Sequence, residues 1–167
     1  MLKIKFRPGW DKKELILETE KWQALWDREG KRITNVMQEI SGLEFNEKSI
    51  NAIIYERISR SHPLSLNAYF PEKYRKGLLV HELCHRLLYG NNIHHNDSFE
   101  QHKQINLILY DVWEQLYGNE FTEEMVNREM NHPKAPIYKW KEAWEYVLKM
   151  DKKIRKKKFS QLIKISK

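Results

Sequence analysis

The segment that opens at Pro71 and closes at Gly90 constrains this chain more than any other, because its pattern is that of one helix. Proline at the first helical position and the acidic Glu72 beside it suit a helix N-terminus, and Gly90 suits a left-handed C-terminal cap. Inside this helix stand His81-Glu82-Leu83-Cys84-His85. Residues four apart lie on one face of a helix, so the two imidazoles can bind one metal ion.

Glu82 lies about 100° round the helix from His81, beside the position of a water bound to such a metal. Zinc lowers the pKa of a bound water to about 7, and a neighbouring carboxylate can accept the proton and pass it on. The motif therefore predicts a Zn²⁺ site held by His81 and His85, with Glu82 as the general base of a hydrolytic reaction.

A catalytic zinc usually has three protein ligands, and the residues after Gly90 offer several candidates for the third. Glu100 has a competing role, because it completes a capping box with Asp97 at the start of the next helix. An exposed position is the default expectation for His102. The residues alone leave the choice open among His94, His95, Glu100, His102, Asp111 and Glu114.

The stretch HELCHRLLYGNNIHHNDSFEQHKQIN, within roughly Glu72–Leu116, resembles the core of SprT-like (Spartan-type) zinc metalloproteases. In that family HExxH is followed, after a loop bearing glycine or asparagine, by a histidine four residues before a phenylalanine on the next helix. His95 and Phe99 stand in this relation, so the resemblance implies His95 as the third ligand. It also implies a zincin-like fold and the hydrolysis of peptide bonds. Asn96 replaces the glycine usual after that histidine.

Hydrophobic periodicity predicts an α+β domain made mostly of helices with a small sheet. The resemblance implies that this sheet is mostly antiparallel and that its edge strand, Ser65–Phe70, pairs with the substrate backbone. The predicted elements are strands at Leu2–Phe6, Ser49–Tyr55 and Ser65–Phe70, a helix from Lys12 to about Ile40, the motif helix, a helix from Asp97 to Gly118, a helix capped by Thr122 and a last helix from Ile137. The first of these helices is either continuous or broken near Gly30, and Ser41-Gly42 is its predicted C-terminus.

Charge is unevenly distributed along the 167 residues. Residues 149–167 contain nine Lys or Arg and one Asp, a net +8 that leaves −1 for residues 1–148 of a chain whose total is +7. This predicts a single zincin-like domain over 1–148 and a basic tail over 149–167. The run Lys152–Lys158 is suited to bind nucleic-acid phosphates, although a solvated helix end has the same composition.

The remaining composition favours a cytoplasmic protein. The single cysteine, Cys84, cannot form an internal disulfide, and this fits a reducing compartment. The first residues lack the apolar core of a signal peptide, and no uncharged apolar run approaches 18 residues, so no membrane span is expected.

Zinc metallopeptidase is thus the leading prediction, with two alternatives. HRLLYGNNIHH faintly resembles the three-histidine motif of YbeY-like metal-dependent ribonucleases, but that family has glycine where this chain has Glu82. The other alternative is a non-catalytic module that contains zinc and binds nucleic acid. Four residues are candidates to stabilise the oxyanion, and the sequence does not choose among Tyr69, Tyr74, Tyr89 and His62.

Overall fold

Apolar residues at alternate positions form three short strands early in the chain, and most of the remaining chain is helical. The structure, a computed structural model, describes residues 2–165. Its strands are β1 (Lys3–Pro8), β2 (Ser49–Tyr55) and β3 (Ser65–Asn67). Its helices are α1 (Lys13–Ser41), α2 (Glu72–Gly90), α3 (Ser98–Tyr117), α4 (Asn119–Met130), α5 (Ala135–Tyr138), α6 (Trp140–Leu148) and α7 (Lys152–Ile165).

The sheet is parallel, in the order β1-β2-β3. The expectation of a mostly antiparallel sheet is therefore wrong, although a mixed class of helices and a small sheet is correct. Alternating hydrophobicity predicts strands but not their direction, which depends on the connections. Here α1 joins β1 to β2 and returns the chain to the end where β1 began, so β2 runs in the same direction. Ile4 then aligns with Ile50, and Phe6 with Ala52.

Strand β3 is shorter than the predicted strand Ser65–Phe70. It ends at Asn67, whose side-chain oxygen accepts a hydrogen bond from the backbone N–H of Tyr69 at 2.9 Å. This side-chain turn competes with further sheet pairing. β3 remains an edge strand of the sheet, immediately before the helix that carries the histidine pair.

Helix α1 packs against β1 and β2 and supplies much of the core. It is continuous through Gly30, whose lack of a side chain leaves room for the ring of Trp26 one turn earlier. A Cβ at that position would lie 2.6 Å from this ring. The predicted C-terminus is confirmed: α1 ends at Ser41, and Gly42 adopts φ 68° and donates its backbone N–H to the carbonyl of Gln38.

Helix α3 is central, with α1, α2, α4, α6 and α7 packed around it. The predicted cap at its start is confirmed, since the Asp97 side chain accepts a hydrogen bond from the backbone N–H of Glu100. Gly118, at φ 86°, joins α3 to α4 in a conformation that favours glycine. Two predicted helix ends differ: Gly90 is the last residue of α2, and Thr122 lies inside α4 with its hydroxyl bonded to the Gly118 carbonyl.

The predicted last helix from Ile137 is divided between the end of α5 and α6. Lys139 adopts a left-handed conformation between these two helices, with φ 53°. The basic segment predicted as a tail contains α7, which buries Arg155 and Phe159 and packs on α3 and α1. None of the helices described over residues 2–165 has the length and apolar character needed to cross a membrane.

Candidate metal centre

Three histidine side chains converge where α2 packs against α3. His81 and His85 come from successive turns of α2, and His102 comes from the second turn of α3. The Nε2 atoms of His81 and His85 are 3.1 Å apart. One ligand atom from each of the three residues lies within 4.8 Å of the others. This is the arrangement in which three imidazoles can share one metal ion.

Two of the rings are held through their outer nitrogen. His81 Nδ1 lies 2.7 Å from Oε1 of Glu129, and His102 Nδ1 donates to the Ser98 carbonyl oxygen at 2.7 Å. Such contacts fix the orientation of each ring and its tautomer, and they leave Nε2 available as the ligand atom. The metal-facing nitrogens are therefore positioned by the protein itself.

Glu129 is the residue that joins this site to the rest of the core. It lies on α4, and its second oxygen accepts a hydrogen bond from Nε1 of the fully buried Trp144 at 2.8 Å. Burial would raise the pKa of its carboxyl, but the charge of His81 and both hydrogen bonds hold that pKa below the usual value. Glu129 is thus a buried carboxylate with a partner for each oxygen.

The three histidines differ in their preference for a proton. Burial disfavours the charged form of His81, but the carboxylate of Glu129 outweighs burial and raises the pKa of His81 to about 9. Burial and the nearby charge of His81 lower the pKa of His102 to about 4 and hold the pKa of His85 well below its usual value. Two of the imidazoles are therefore neutral at pH 7, the form that binds a metal.

Glu82 differs from Glu129 although both carboxylates are buried. Burial raises the pKa of Glu82 to about 7, and the negative charge of Glu129 adds to this effect while His81 opposes it. Its carboxylate makes no hydrogen bond or ion pair with any residue in the described range 2–165. A buried carboxyl with a pKa near 7 whose oxygens have no hydrogen-bond partner is suited to accept and return a proton.

A cavity of about 470 Å³ gives access to these residues. Helices α2, α3 and α4 form its walls, together with the segment that leads into β3 and the segment around α5. The three histidines, Glu82 and Glu129 all line this cavity, and Asn67 of β3 and Trp140 of α6 lie at its edges. A molecule in the cavity can therefore reach the histidine cluster and the free carboxylate together.

The donor set fits zinc. Zinc binds histidine nitrogens at about 2.0–2.1 Å in tetrahedral geometry, which separates two such nitrogens by about 3.3 Å. The 3.1 Å between Nε2 of His81 and Nε2 of His85 is close to this separation. Three nitrogen ligands beside an accessible cavity match the usual composition of a catalytic zinc site, in which a fourth position stays open.

The structure does not bring His95 into this cluster. His95 is exposed in the connection between α2 and α3, its Nδ1 accepts the backbone N–H of Asp97, and its own N–H donates to Gln101. The metal-capable group in residues 2–165 contains His102 instead. Because the connection ends at Ser98, a histidine on the inner face of α3 reaches α2 more directly than a histidine in the loop.

The other candidate ligands have different surroundings. Glu100 forms an ion pair with Lys103 at 2.8 Å, and Asp111 forms one with Arg155 at 2.6 Å. His94 is exposed. Of the four candidates for an oxyanion donor, only Tyr74 is among the residues that line the cavity, while Tyr69, Tyr89 and His62 are not.

Sequence reasoning missed Glu129 and left His102 as one of several candidates for the third ligand. His102 had a detectable signal, because it precedes the buried Ile105, Leu109 and Val112 by three, seven and ten residues and so lies on the inner face of α3. Glu129 had none, since 48 residues separate it from His81 and no spacing rule joins them.

Comparison with protein-family models gives no match, and none of the curated proteins or solved structures matches this chain. The resemblance to SprT-like proteases therefore stays a prediction, carried by the motif residues alone.

Proposed function

We propose that this chain is a zinc-dependent metallopeptidase in which His81, His85 and His102 hold the metal and Glu82 is the general base. The observation that carries the proposal is the free, buried carboxylate of Glu82 in the same cavity as three convergent imidazoles. His102 takes the place first assigned to His95, because its Nε2 is oriented by the Ser98 contact and His95 lies outside the cluster.

Each residue has a separate role in peptide hydrolysis. Zinc, when bound, supplies a Lewis acid that polarises the scissile carbonyl and lowers the pKa of a water. Glu82 accepts the proton of the attacking water and then donates it to the nitrogen of the leaving amine. Burial assists both steps, since a carboxyl with a pKa near 7 can take up and release a proton at neutral pH. Glu129 keeps His81 in the tautomer that presents Nε2.

The sequence also allows a metal-dependent ribonuclease or a non-catalytic zinc module, and the position of Glu82 argues against both. A metal-dependent ribonuclease of the YbeY-like kind has glycine at this position, whereas here the carboxylate lies in the cavity. A zinc module without catalysis requires no carboxylate beside the metal, whereas Glu82 lines the same cavity as the three histidines and has no hydrogen-bond partner among the described residues.

The proposal is tested by measuring zinc and hydrolysis together. The wild-type chain is expected to bind one zinc per chain and to cleave unstructured peptides. Glu82→Gln is expected to keep the zinc and lose activity by about 10²–10⁴-fold, the usual contribution of general acid–base catalysis. His102→Ala is expected to lose most of the zinc, and His95→Ala, its matched control on the neighbouring loop, is expected to keep it.

Three results would contradict parts of this proposal. Zinc retention in His102→Ala with loss in His95→Ala would return the third ligand to the loop. Hydrolysis unaffected by Glu82→Gln would remove the assigned base. A zinc-loaded wild type that cleaves RNA but no peptide would favour the ribonuclease alternative.

Helix α7 supports a second, separate proposal, that this face contacts nucleic acid. Arg155 and Phe159 are the buried residues of this helix, and four of its lysines are exposed, at positions 152, 153, 156 and 157. None of these four forms an ion pair within the described part of the chain. A cytoplasmic location belongs to the same set of proposals.

A further inference from the structure

Arg128 differs from every other arginine that the structure describes as buried or partly buried. Arg75, Arg86 and Arg155 each bind a carboxylate: those of Glu18, Glu47 and Asp111 respectively. Each also donates to a backbone carbonyl. Arg128 is partly buried but has no carboxylate within 4 Å and no hydrogen bond among residues 2–165. Its guanidinium therefore retains its full set of N–H donors for another molecule.

Arg128 is nevertheless held in place. Its guanidinium carbon lies 4.1 Å from the ring centroid of Tyr74 and 4.7 Å from that of Phe70. Stacking on two aromatic rings orients the planar group and leaves the N–H donors at its edge unblocked. Glu124, one turn earlier on α4, attracts Arg128 electrostatically, but its carboxylate forms its ion pair with Lys73. The guanidinium is thus preorganised and has no carboxylate within 4 Å among the described residues.

The same helix directs Arg128 toward the candidate metal centre. Met125, Arg128, Glu129 and His132 all line the cavity, and their spacing of three, four and seven residues defines one face of α4. Glu129, the next residue, reaches His81. Arg128 and the histidine cluster therefore border one continuous space.

The rise along α2 from Tyr74 to His81 corresponds to the length of a few peptide residues. Tyr74, on which Arg128 stacks, precedes His81 by seven residues on α2, which corresponds to about 10 Å along the helix axis. An extended peptide spans about 3.3 Å per residue, so this distance corresponds to about three residues. An acidic side chain of the peptide would cover part of this distance, so fewer residues would separate it from the scissile bond.

The charges around the cavity favour an anionic group at this position. Among the described lining residues, Arg57, Arg60 and Lys134 are exposed cations. The acidic lining residues are Glu82 and Glu129, both deep in the site, and Glu129 is already bound to His81 and Trp144. The outer part of the cavity is therefore cationic, and a planar fork of N–H donors is the group that best matches a carboxylate.

From these observations we infer that Arg128 binds a carboxylate of the peptide substrate, within about three residues of the scissile bond. The inference rests on the proposed peptidase function and adds the substrate class, which is an acidic peptide. The carboxylate belongs either to an Asp or Glu side chain or to the C-terminus of the substrate. Both sources present the same two oxygens to the guanidinium.

Equilibrium binding tests this inference without any need for turnover. The protein is the zinc-loaded Glu82→Gln chain, and the probes are short fluorescein-labelled peptides with a blocked N-terminus. One set has an amidated C-terminus and a single Glu moved along an alanine-rich sequence, and a matched set has Gln at each position. A third set has Gln and a free C-terminal carboxylate. Anisotropy measures each dissociation constant.

A Glu peptide, or a peptide with a free C-terminus, is expected to bind about tenfold more tightly than its neutral partner. Adding Arg128→Gln is expected to remove this preference while zinc content and thermal stability remain unchanged. Arg57→Gln, which removes an exposed cation from the rim, is the matched control and should preserve most of it. Arg128→Lys should restore only part of it, because the ammonium lacks the fork.

Several outcomes would overturn the inference. Equal affinity of neutral and acidic peptides in the arginine-containing protein is sufficient to do so, even if the Arg128→Gln chain fails to fold. A preference that survives Arg128→Gln would assign it to the rim cations instead. Binding of oligothymidine that depends on Arg128, with no preference among peptides, would identify a phosphate site. Failure of the zinc-loaded wild type to hydrolyse peptides would contradict the proposed function alone, because the binding preference is measured separately.

Discussion

Helix α3 takes part in two polar clusters that differ in how completely their groups are paired. At Asp111, the guanidinium of Arg155 donates to both carboxylate oxygens, at 2.6 and 3.2 Å, and to the Met150 carbonyl at 2.6 Å. At His102, nine residues earlier, the rings converge without a hydrogen bond from His102 Nε2 to any described residue, and the carboxylate of Glu82 is free. Both clusters are largely buried.

This difference distinguishes a cluster that stabilises the fold from one that is suited to a ligand. A buried ion pair whose two charged groups bind each other loses stability when either group is replaced, whereas a buried group without a partner gains from a molecule that supplies one. The same contrast separates Arg155 from Arg128 and Glu129 from Glu82. In each pair the first residue is bound to partners within the protein and supports the structure, whereas the second lines the cavity and has no hydrogen-bond or ion-pair partner among the described residues.

The largest expected effect on stability lies at the paired cluster. Arg155→Met leaves the carboxylate of Asp111 buried without its partner, and we expect the free energy of unfolding to fall by about 3–5 kcal/mol. Urea denaturation measures this change. Lys156→Met, at the adjacent exposed position, is the control and should change stability by less than about 0.5 kcal/mol. Equal effects of the two substitutions would show that the Arg155 pair does not anchor α7.

The next largest effect is expected at Glu129, which contacts both His81 of the histidine cluster and Trp144 of the core. Glu129→Gln keeps an acceptor for Trp144 but removes the charge that orients His81, so we expect zinc affinity to fall by about 10–100-fold. Competition with a chromophoric chelator measures the affinity. Glu124→Gln, five residues earlier on α4 and paired with Lys73, is the control and should leave it unchanged. A loss shared by both variants would indicate a general effect on α4.

The pH dependence of zinc affinity tests the effect of Glu129 on His81. In the metal-free chain the pKa of His81 is about 9, because Glu129 outweighs the effect of burial. Below that pH, zinc must displace a proton from His81, so the apparent affinity should rise with pH, by at most about tenfold per unit, and level off near pH 9. Calorimetry in buffers of different ionisation enthalpy measures the released proton. In Glu129→Gln the rise should level off at a lower pH; an unchanged profile would contradict the assigned cause.

Local signals in the sequence predicted the helix that carries the histidine pair, because helix period and end residues act over a few neighbours. The boundaries of β2, the Asp97 cap and the long α1 with its Gly42 terminus follow from the same short-range rules. Strand direction did not follow, since alternation within a strand is the same in either orientation. The parallel pairing of β1 with β2 is a consequence of the connection through α1.

The candidate site was predictable only where its residues lie on one helix. His81, Glu82 and His85 are brought together by helix geometry itself, whereas His102 and Glu129 arrive through the packing of α3 and α4 against α2. For His102 the inner-face position was visible in the spacing of apolar residues. The family pattern pointed to His95 instead, because a motif specifies separation along the chain and not the side of the helix that faces the metal.

The smallest expected effect on stability lies on the exposed side of α7, where no lysine has a carboxylate partner among the described residues. Replacing the four lysines at 152, 153, 156 and 157 with glutamine should change stability by less than about 0.5 kcal/mol each and leave zinc affinity unaltered. If this face contacts duplex DNA, the slope of log affinity against log salt should fall by as much as about 0.9 for each phosphate contact removed. A charge-matched control replaces four exposed lysines elsewhere: Lys3, Lys5, Lys13 and Lys48. Equal slopes for the two variants would show that α7 affects DNA binding only through the net charge of the protein. A decrease in slope confined to the α7 variant would support a nucleic-acid surface on α7.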